Sequence, residues 1–233
     1  MRLHRFYIPE PIGKDQTIHV GNRDLLHQWA KVFRFAIGDT IILFSGDGFE
    51  YEAVIELISK KEAIVHTINA SRTVPAPKIT LHVFLSVIKK ARFELAVEKC
   101  TEIGAAAFHP VIAEHNDKRE LNIERLKKIA IEAAEQSGRG TVPGVGEPEK
   151  LEAAIKKFSG KMFVLDFGAE NFSKAFEKFS ALVPVGVFVG PEGGWTDAER
   201  TLFKKYRIQQ VSLGTQVLRA ETAAIAGSAA ILL

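Results

Sequence analysis

The sequence predicts an α/β protein in two parts, a small β-barrel followed by a larger domain on a parallel sheet. Three observations carry this. Short runs such as RLHRFYIP, DTIILFSG, FEYEAVIEL and EAIVHTIN alternate apolar and polar residues, as half-buried strands do. Later runs, ITLHVFLSVI, MFVLDF and VGVFVG, are apolar without alternation and are separated by helical patterns, as in a sheet covered on both faces. Between them lies SRTVPAPK, Ser71 to Lys78, whose two prolines and small polar residues read as a linker. The expected domains are residues 1–72 and 73–233.

The elements follow in order. Leu25 to Phe35 reads as a single helix inserted in the barrel, and Gly38-Asp39 opens the next strand. Asp47-Gly48 is a hairpin turn signal. Past the linker, ITLHVFLSVI is a buried strand. Phe93, Val97, Cys100 and Ile103 recur at helical spacing, and Gly104 stops that helix. AAFHPVIA is the next strand. Asn122 caps a long helix with an apolar face of Ile123, Leu126, Ala130 and Ala133, closed by Gly138. MFVLDF, VGVFVG and QQVSLG are further strands, and AAIAGSAAILL is a buried terminal helix, too short to span a bilayer.

Composition narrows the class. The 233 residues suffice for one large domain or two small ones, and 46% are hydrophobic. A single cysteine, Cys100, excludes an internal disulfide or a Cys-rich zinc site, and a reducing, cytoplasmic setting is expected. The first residues lack the apolar stretch of a signal peptide. Net charge is +3, so contact with RNA rests on local patches rather than on total charge. Arg2, Arg5, Arg23, Lys31 and Arg34 gather in the barrel, Lys89, Lys90 and Arg92 open the first helix after the linker, and Lys127, Lys128 and Arg139 lie on or after the long helix. Each group alone reads as a solvated face; together they form a candidate phosphate-contacting surface.

Two strand-to-helix junctions carry candidate chemistry. In FVGPEGGWTDAE a buried strand ends in Gly190, Pro191, Glu192, Gly193 and Gly194, and Thr196 with Glu199 forms a capping box. Glycines there let backbone approach a ligand, or serve only a tight turn. The loop is neither a P-loop nor a GxGxxG dinucleotide loop. In LGTQVLRAETAAIAG, Arg219 and Glu221 stand at the mouth of an apolar helix, where charges need partners or a ligand; Glu221 also suits the helix dipole. HExxH, CxxC and GxSxG motifs are absent from the sequence. His109 and His115 flank a strand end without a metal-site pattern, and His82 inside a strand reads as structural.

Taken together, GPEGGWTDAE followed by SLGTQVLRAETAAIAG resembles the end of the RsmE family of ribosomal RNA methyltransferases, of the SPOUT superfamily. EKCTEIG and IAIEAAEQSGR match that family's earlier motifs in order, and RLHRFYIP with the helix-then-GD segment resembles its PUA-like barrel. The resemblance covers essentially the whole chain. It implies a C-terminal trefoil knot, a homodimer with the active site near the subunit interface, S-adenosylmethionine as methyl donor, and methylation of uridine N3 at position 1498 of 16S ribosomal RNA. The partners it implies are 16S rRNA or the small ribosomal subunit, with neither metal nor membrane.

The resemblance also implies roles. Leu165, Leu213 and Leu218 would wall the adenine, and Gly190, Gly193 and Gly214 would let the main chain come close. Pro191 and Thr222 complete the expected cofactor set, and Glu192 would lie near the sulfonium. Arg219 would stabilise charge developing on the uracil. Glu221 would accept the N3 proton or hold Arg219, and holding is favoured because an Arg-paired carboxylate is a weak base. Arg5, Arg23, Lys31, Arg34 and Arg139 would contact RNA. Two departures bear on target choice: Thr215 and Gln216 replace a common Pro-Arg, and Ala113, Glu114, His115 and Asn116 stand where relatives often carry Ser-Glu-Arg. The competing readings are a SPOUT enzyme for another RNA base, a non-catalytic ribosome-assembly protein, and, against the missing GxGxxG, a nicotinamide enzyme.

Overall fold

The computed structural model describes residues 3–73, 77–116, 120–176 and 183–233. Val74 to Ala76, within the expected linker, lie outside the described residues, as does Arg2. The chain forms two compact units: residues 1–76 with 134–141, and residues 77–133 with 142–233. The first is discontinuous, which the sequence reading did not anticipate.

The first unit is a five-stranded sheet in the order β1-β3-β4-β5-β2, built from β1 (Arg5–Tyr7), β2 (Thr17–Val20), β3 (Thr40–Phe44), β4 (Phe49–Ile58) and β5 (Ala63–Thr73). β1 pairs parallel with β3 and the other pairs are antiparallel. Register shifts interrupt the β4–β5 ladder at three places, and such bulges curl a sheet. Alternate side chains Ile41, Leu43, Ala53, Ile55 and Val65 point into a core closed by Phe6 and Trp29. Asp47 Oδ1 accepts from the Phe49 amide at 2.9 Å in the β3–β4 turn. β5 runs on to Thr73, into the stretch read as linker.

The inserted helix differs from expectation. It starts earlier, as α1 (Arg23–His27), because the Asn22 side chain accepts from the Asp24 and Leu25 amides. It continues as a π-helix over Gln28–Phe33 and ends on Arg34, left-handed at φ 57°. The wider π turn buries Trp29 while leaving Lys31 and Arg34 exposed.

Residues 134–141 belong to this unit through polar contacts. The Arg5 guanidinium donates to the carbonyls of Ala134 and Glu135 at 3.2 Å and of Arg139 at 2.8 Å, and pairs with Glu50 at 2.6 Å. The Tyr7 amide donates to Glu135 at 2.9 Å. Arg5 thus ties the carbonyls of residues 134, 135 and 139 to the start of β1.

The second unit is a wholly parallel sheet in the order β12-β10-β11-β6-β7-β8, with β9 also on β7. Its strands are β6 (Leu81–Ser86), β7 (Ala107–Ile112), β8 (Gly144–Val145), β9 (Glu149–Lys150), β10 (Lys161–Asn171), β11 (Val185–Val189) and β12 (Gln209–Ser212). Its helices are α2 (Lys90–Ile103), α3 (Ile123–Ser137, whose end from Ala134 joins the first unit), α4 (Leu151–Lys157), α5 (Phe172–Phe176), α6 (Asp197–Lys205) and α7 (Ala220–Leu232). Both faces are covered, as the unalternating strands require. Val83, Leu85, Val187 and Val189 pack against α2, α3 and α7, while Phe84, Val164 and Phe188 pack against α4 and α6. Gly104 (φ 124°) and Gly138 (φ 80°) end α2 and α3, and the Arg125 amide donates to the Asn122 side chain at 3.0 Å. α7 lies close because its facing residues are small: a Cβ on Gly227 would stand 3.1 Å from Leu165.

Candidate active site at the carboxyl ends of three strands

β10, β11 and β12 are neighbours and parallel, so their carboxyl ends share one edge, with Leu165, Val189 and Val211 in register. Open sheets of this class bind ligands beyond that edge. A cavity of about 270 Å³ lies there. Its walls are Leu165, Asp166 and Phe167 after β10, Val189 to Glu192 with Gly194 and Trp195 after β11, and Val211 to Leu213 after β12. Gln216, Val217, Leu218, Ala220 and Ala223 at the start of α7 complete it, with Arg200 from α6.

Local chemistry sets each wall. The buried Trp195 Nε1 donates to the Leu165 carbonyl at 3.1 Å, tying the glycine loop to β10. Gly190 must lack a side chain, since a Cβ would meet that indole at 3.0 Å. The Gly194 amide donates to the Pro191 carbonyl at 2.9 Å, a turn that Gly194 completes at φ 70°. Thr196 and Glu199 form the expected capping box of α6, and Glu199 also accepts from the Glu114 amide at 2.9 Å. His115 Nδ1 lies 3.2 Å from the carbonyls of both Gly193 and Gly194, so it carries the proton and donates. The departing loop at residues 113–116 is thereby a strap for the glycine loop. Asp166 takes a bidentate pair from Arg200 at 2.8 and 3.1 Å.

Of the expected cofactor residues, Leu165, Gly190, Pro191, Glu192, Leu213 and Leu218 line the cavity. Gly193, Gly214 and Thr222 are not among its lining residues. Gly193 is instead kept bare by His115, 3.1 Å from where its Cβ would be, and Gly214 shapes its turn at φ 154° with its carbonyl accepting from Ser212. The sequence reading missed Asp166, Trp195, Arg200 and Gln216. Asp166, Trp195 and Gln216 stood within stretches already singled out, Gln216 only as a departure bearing on target choice, and Arg200 lies one residue past another.

The charged pair at the mouth of α7 differs from expectation. Arg219 is the N-cap of α7; its side chain is exposed and, among the described residues, makes no hydrogen bond or ion pair. Glu221 is 6% exposed, and its partner is Arg92 of α2, whose Nε lies 3.7 Å from Oε1. Glu221 therefore does not hold Arg219. Arg92 Nη1 also donates to Glu192 at 2.8 Å, so one guanidinium joins a cavity-wall carboxylate to one at the helix mouth.

The expected RNA contacts divide. Arg23, Lys31 and Arg34 are exposed. Arg5 is buried by Glu50 and three carbonyls, so it is a strut of the first unit rather than a surface cation. Arg139 is half-buried; burial lowers its guanidinium to about 10, which leaves it charged at neutral pH, and it donates to Thr141 at 3.2 Å. His82 and His109 stack and hydrogen-bond at 2.9 Å, and burial pulls both below the ordinary histidine value, His109 to about 4. Among the described residues no group of three or more His, Cys, Asp or Glu side chains is placed to hold a metal, and no helix is long and apolar enough to cross a membrane.

Comparison with known proteins gives concordant matches. A model of an RNA methyltransferase domain matches residues 75–232, and one of an RNA methyltransferase PUA domain matches residues 30–68. Ribosomal RNA small subunit methyltransferase E of Rickettsia conorii is 31% identical across 100% of this chain and 96% of its own length. The Bacillus subtilis protein of that name is 31% identical over 98% and 96%. The crystal structure of ribosomal RNA small subunit methyltransferase E from Neisseria gonorrhoeae, bound to S-adenosyl methionine, superposes with a TM-score of 0.90 at 28% identity, covering 98% of this chain and 96% of that one. A putative methyltransferase from Legionella pneumophila, in complex with the same cofactor, also gives 0.90, at 25% identity over 99% and 97%.

Proposed function

The chain belongs to the ribosomal RNA small subunit methyltransferase E family, and on that premise we propose that it methylates N3 of a uridine in 16S ribosomal RNA, at position 1498 in standard numbering. The methyl donor is S-adenosylmethionine, which supplies an electrophilic methyl group on a sulfonium. One observation carries the reading: the cavity beyond β10, β11 and β12 combines apolar walls with a carboxylate-rich rim, in a chain that matches a cofactor-bound relative from end to end. Leu165, Leu213 and Leu218 offer an adenine apolar surface, and Gly190 and Pro191 bring main chain to the wall. Asp166 and Glu192 place two carboxylates on the wall beside one lining guanidinium, Arg200, so the lining itself carries net negative charge suited to a sulfonium.

Uridine N3 carries a proton at neutral pH, and that proton must leave before the nitrogen can act. Arg219, exposed and unpaired beside the cavity-lining Leu218 and Ala220, is the cation available to a uracil carbonyl oxygen as negative charge develops. Glu221, in the first turn of α7, faces Arg92, the partner of Glu192 on the cavity wall. RNA is bound in part by Arg23, Lys31 and Arg34 of the first unit, with Arg139 contributing charge. Phe167, Val217 and Leu218 are exposed apolar side chains on the cavity rim, Val217 at 78%, and they support a homodimer whose second subunit covers the site. A SPOUT-type trefoil knot in the second unit, domains dividing near residues 72 and 73, and a cytoplasmic location complete the reading.

The test is deletion of the gene followed by mass-spectrometric mapping of methylated uridines in small-subunit RNA. N3-methyluridine should vanish from the expected site and return with the wild-type protein but not with Arg219→Ala. Persistence of the modification in the deletion strain would move the target elsewhere.

A further inference from the structure

Glu221 is buried, yet its second carboxylate oxygen, Oε2, has no hydrogen-bond partner. A buried carboxylate oxygen without a donor costs free energy, so such an atom marks where a donor is to arrive. Its first oxygen, Oε1, faces Arg92 Nε at 3.7 Å, outside hydrogen-bond distance, so Glu221 lacks the close arginine pairing that argues against a base, while Arg92 Nη1 is engaged at 2.8 Å by Glu192, on the cavity wall. The guanidinium is planar and its donors are fixed relative to each other, so fastening one edge to Glu192 fixes what the other edge presents to Glu221. Arg92 itself is 31% exposed in its side chain and opens α2, far in sequence from both acids.

We propose that Arg92 is a positioning residue for base methylation: through Glu192 and Glu221 it holds Oε2 of Glu221 free to receive the N3 proton of the target uracil. This rests on the methyltransferase reading above. In the step, the N3–H bond breaks, its proton passes to Oε2, and the electron pair stays on N3 for the methyl group; Glu221 later returns the proton to water. The arrangement gives Glu192 a second duty, as the anchor that turns Arg92. It also separates the charges at the mouth of α7 into two roles, with Arg219 toward the uracil oxygens and Glu221 toward N3.

The experiment uses the full-length protein with small-subunit RNA and two readouts: single-turnover methyl transfer, and the S-adenosylmethionine dissociation constant by calorimetry. Arg92→Gln should slow transfer by about 100-fold, the scale of a misplaced catalytic group, while the dissociation constant stays close to wild type. Arg92→Lys, which keeps the charge but cannot bridge both acids in one plane, should recover part of the rate. Glu221→Gln should slow transfer at least as much, and the Arg92→Gln/Glu221→Gln double variant should be no slower than Glu221→Gln alone, because both substitutions remove one function. If Glu221→Gln or Arg92→Gln instead weakens cofactor binding in proportion to the lost rate, Oε2 serves a donor on the cofactor and the inference is overturned. Additive losses in the double variant overturn it too. Should Arg92→Gln fail to fold, as judged by its melting curve, Arg92→Lys takes its place, with a smaller loss of rate and the same unchanged dissociation constant. Wild-type protein that binds the cofactor but never methylates uridine N3 would sink the proposed function and this inference together; wild-type transfer with an unaffected Arg92→Gln would sink the inference alone.

Discussion

Two arginines, one in each compact unit, are both paired with glutamate, and they are used in opposite ways. Arg5 is buried with Glu50, and its Nη1 and Nη2 donate to the carbonyls of Ala134, Glu135 and Arg139. Arg92 is partly exposed, divides itself between Glu192 and Glu221, and leaves Glu221 Oε2 without a donor. A charge cluster buried among partners from its own unit holds a fold together. One left incomplete at a cavity edge is available for a ligand. The contrast teaches that counting ion pairs says little, whereas asking whether a pair is buried in a core or reaches a cavity wall separates scaffold from site.

The largest effect that tests this contrast is on stability. Glu50→Ala strands a buried guanidinium and should cost about 3–5 kcal/mol in urea unfolding, while the protein that remains folded binds S-adenosylmethionine normally. Replacing both members, Arg5→Met with Glu50→Leu, should restore most of that loss. A Glu50→Ala protein that is stable but has lost its cofactor would break the comparison.

Next in size, Arg219→Ala should lower methyl transfer about 10²- to 10³-fold, with the melting temperature and cofactor affinity nearly unchanged. Equal losses of transfer and cofactor binding would return Arg219 to the cofactor wall.

A milder effect comes from a buried pair of another kind. Burial holds His109 down to about 4 from 6.5 and lowers His82 as well. The folded state therefore binds fewer protons than the unfolded one between those values, and stability must rise with pH there. This contribution is complete above about pH 6.5 and is lost as pH falls toward 4. Denaturant titrations at pH 7 and pH 5 should show a smaller pH 5 deficit in His109→Phe than in wild type; an unchanged deficit would place the acid sensitivity elsewhere.

The smallest effect sharpens the comparison within the first unit. Removing Arg23, Lys31 or Arg34 should weaken RNA binding and flatten its salt dependence by about 0.7–0.9 for each phosphate that is no longer neutralised. The folded Arg5→Met/Glu50→Leu protein should keep the wild-type slope, since Arg5 already spends its donors internally.

Much of the fold was legible because it is written locally. Unalternating strands, Gly104 and Gly138 at helix ends, the Asn122 cap and the Thr196–Glu199 box each involve residues a few positions apart. The three cavity loops were legible too, since glycine and proline at strand ends are conspicuous. The π-helical stretch was not, because one wide turn buries the same apolar residues as an α turn would. The charge roles were least legible. Arg5 and Arg92 each sat in a basic cluster that reads as a solvated face, and their acids lie on distant elements that only folding brings near. The same blindness assigned Glu221 to Arg219, its neighbour in sequence, and Gly193 to a ligand rather than to His115.

The discontinuity of the first unit also sets an order of events at the ribosome. Its β-strands emerge first, but the carbonyls of Ala134, Glu135 and Arg139 that receive Arg5 are synthesised only after residues 77–133. At about 5–20 residues per second, residues 77–141 take roughly 3 to 13 s to appear. Throughout that interval the nascent sheet awaits its last piece, so the N-terminal unit matures only after a large part of the enzyme's catalytic unit has already been translated.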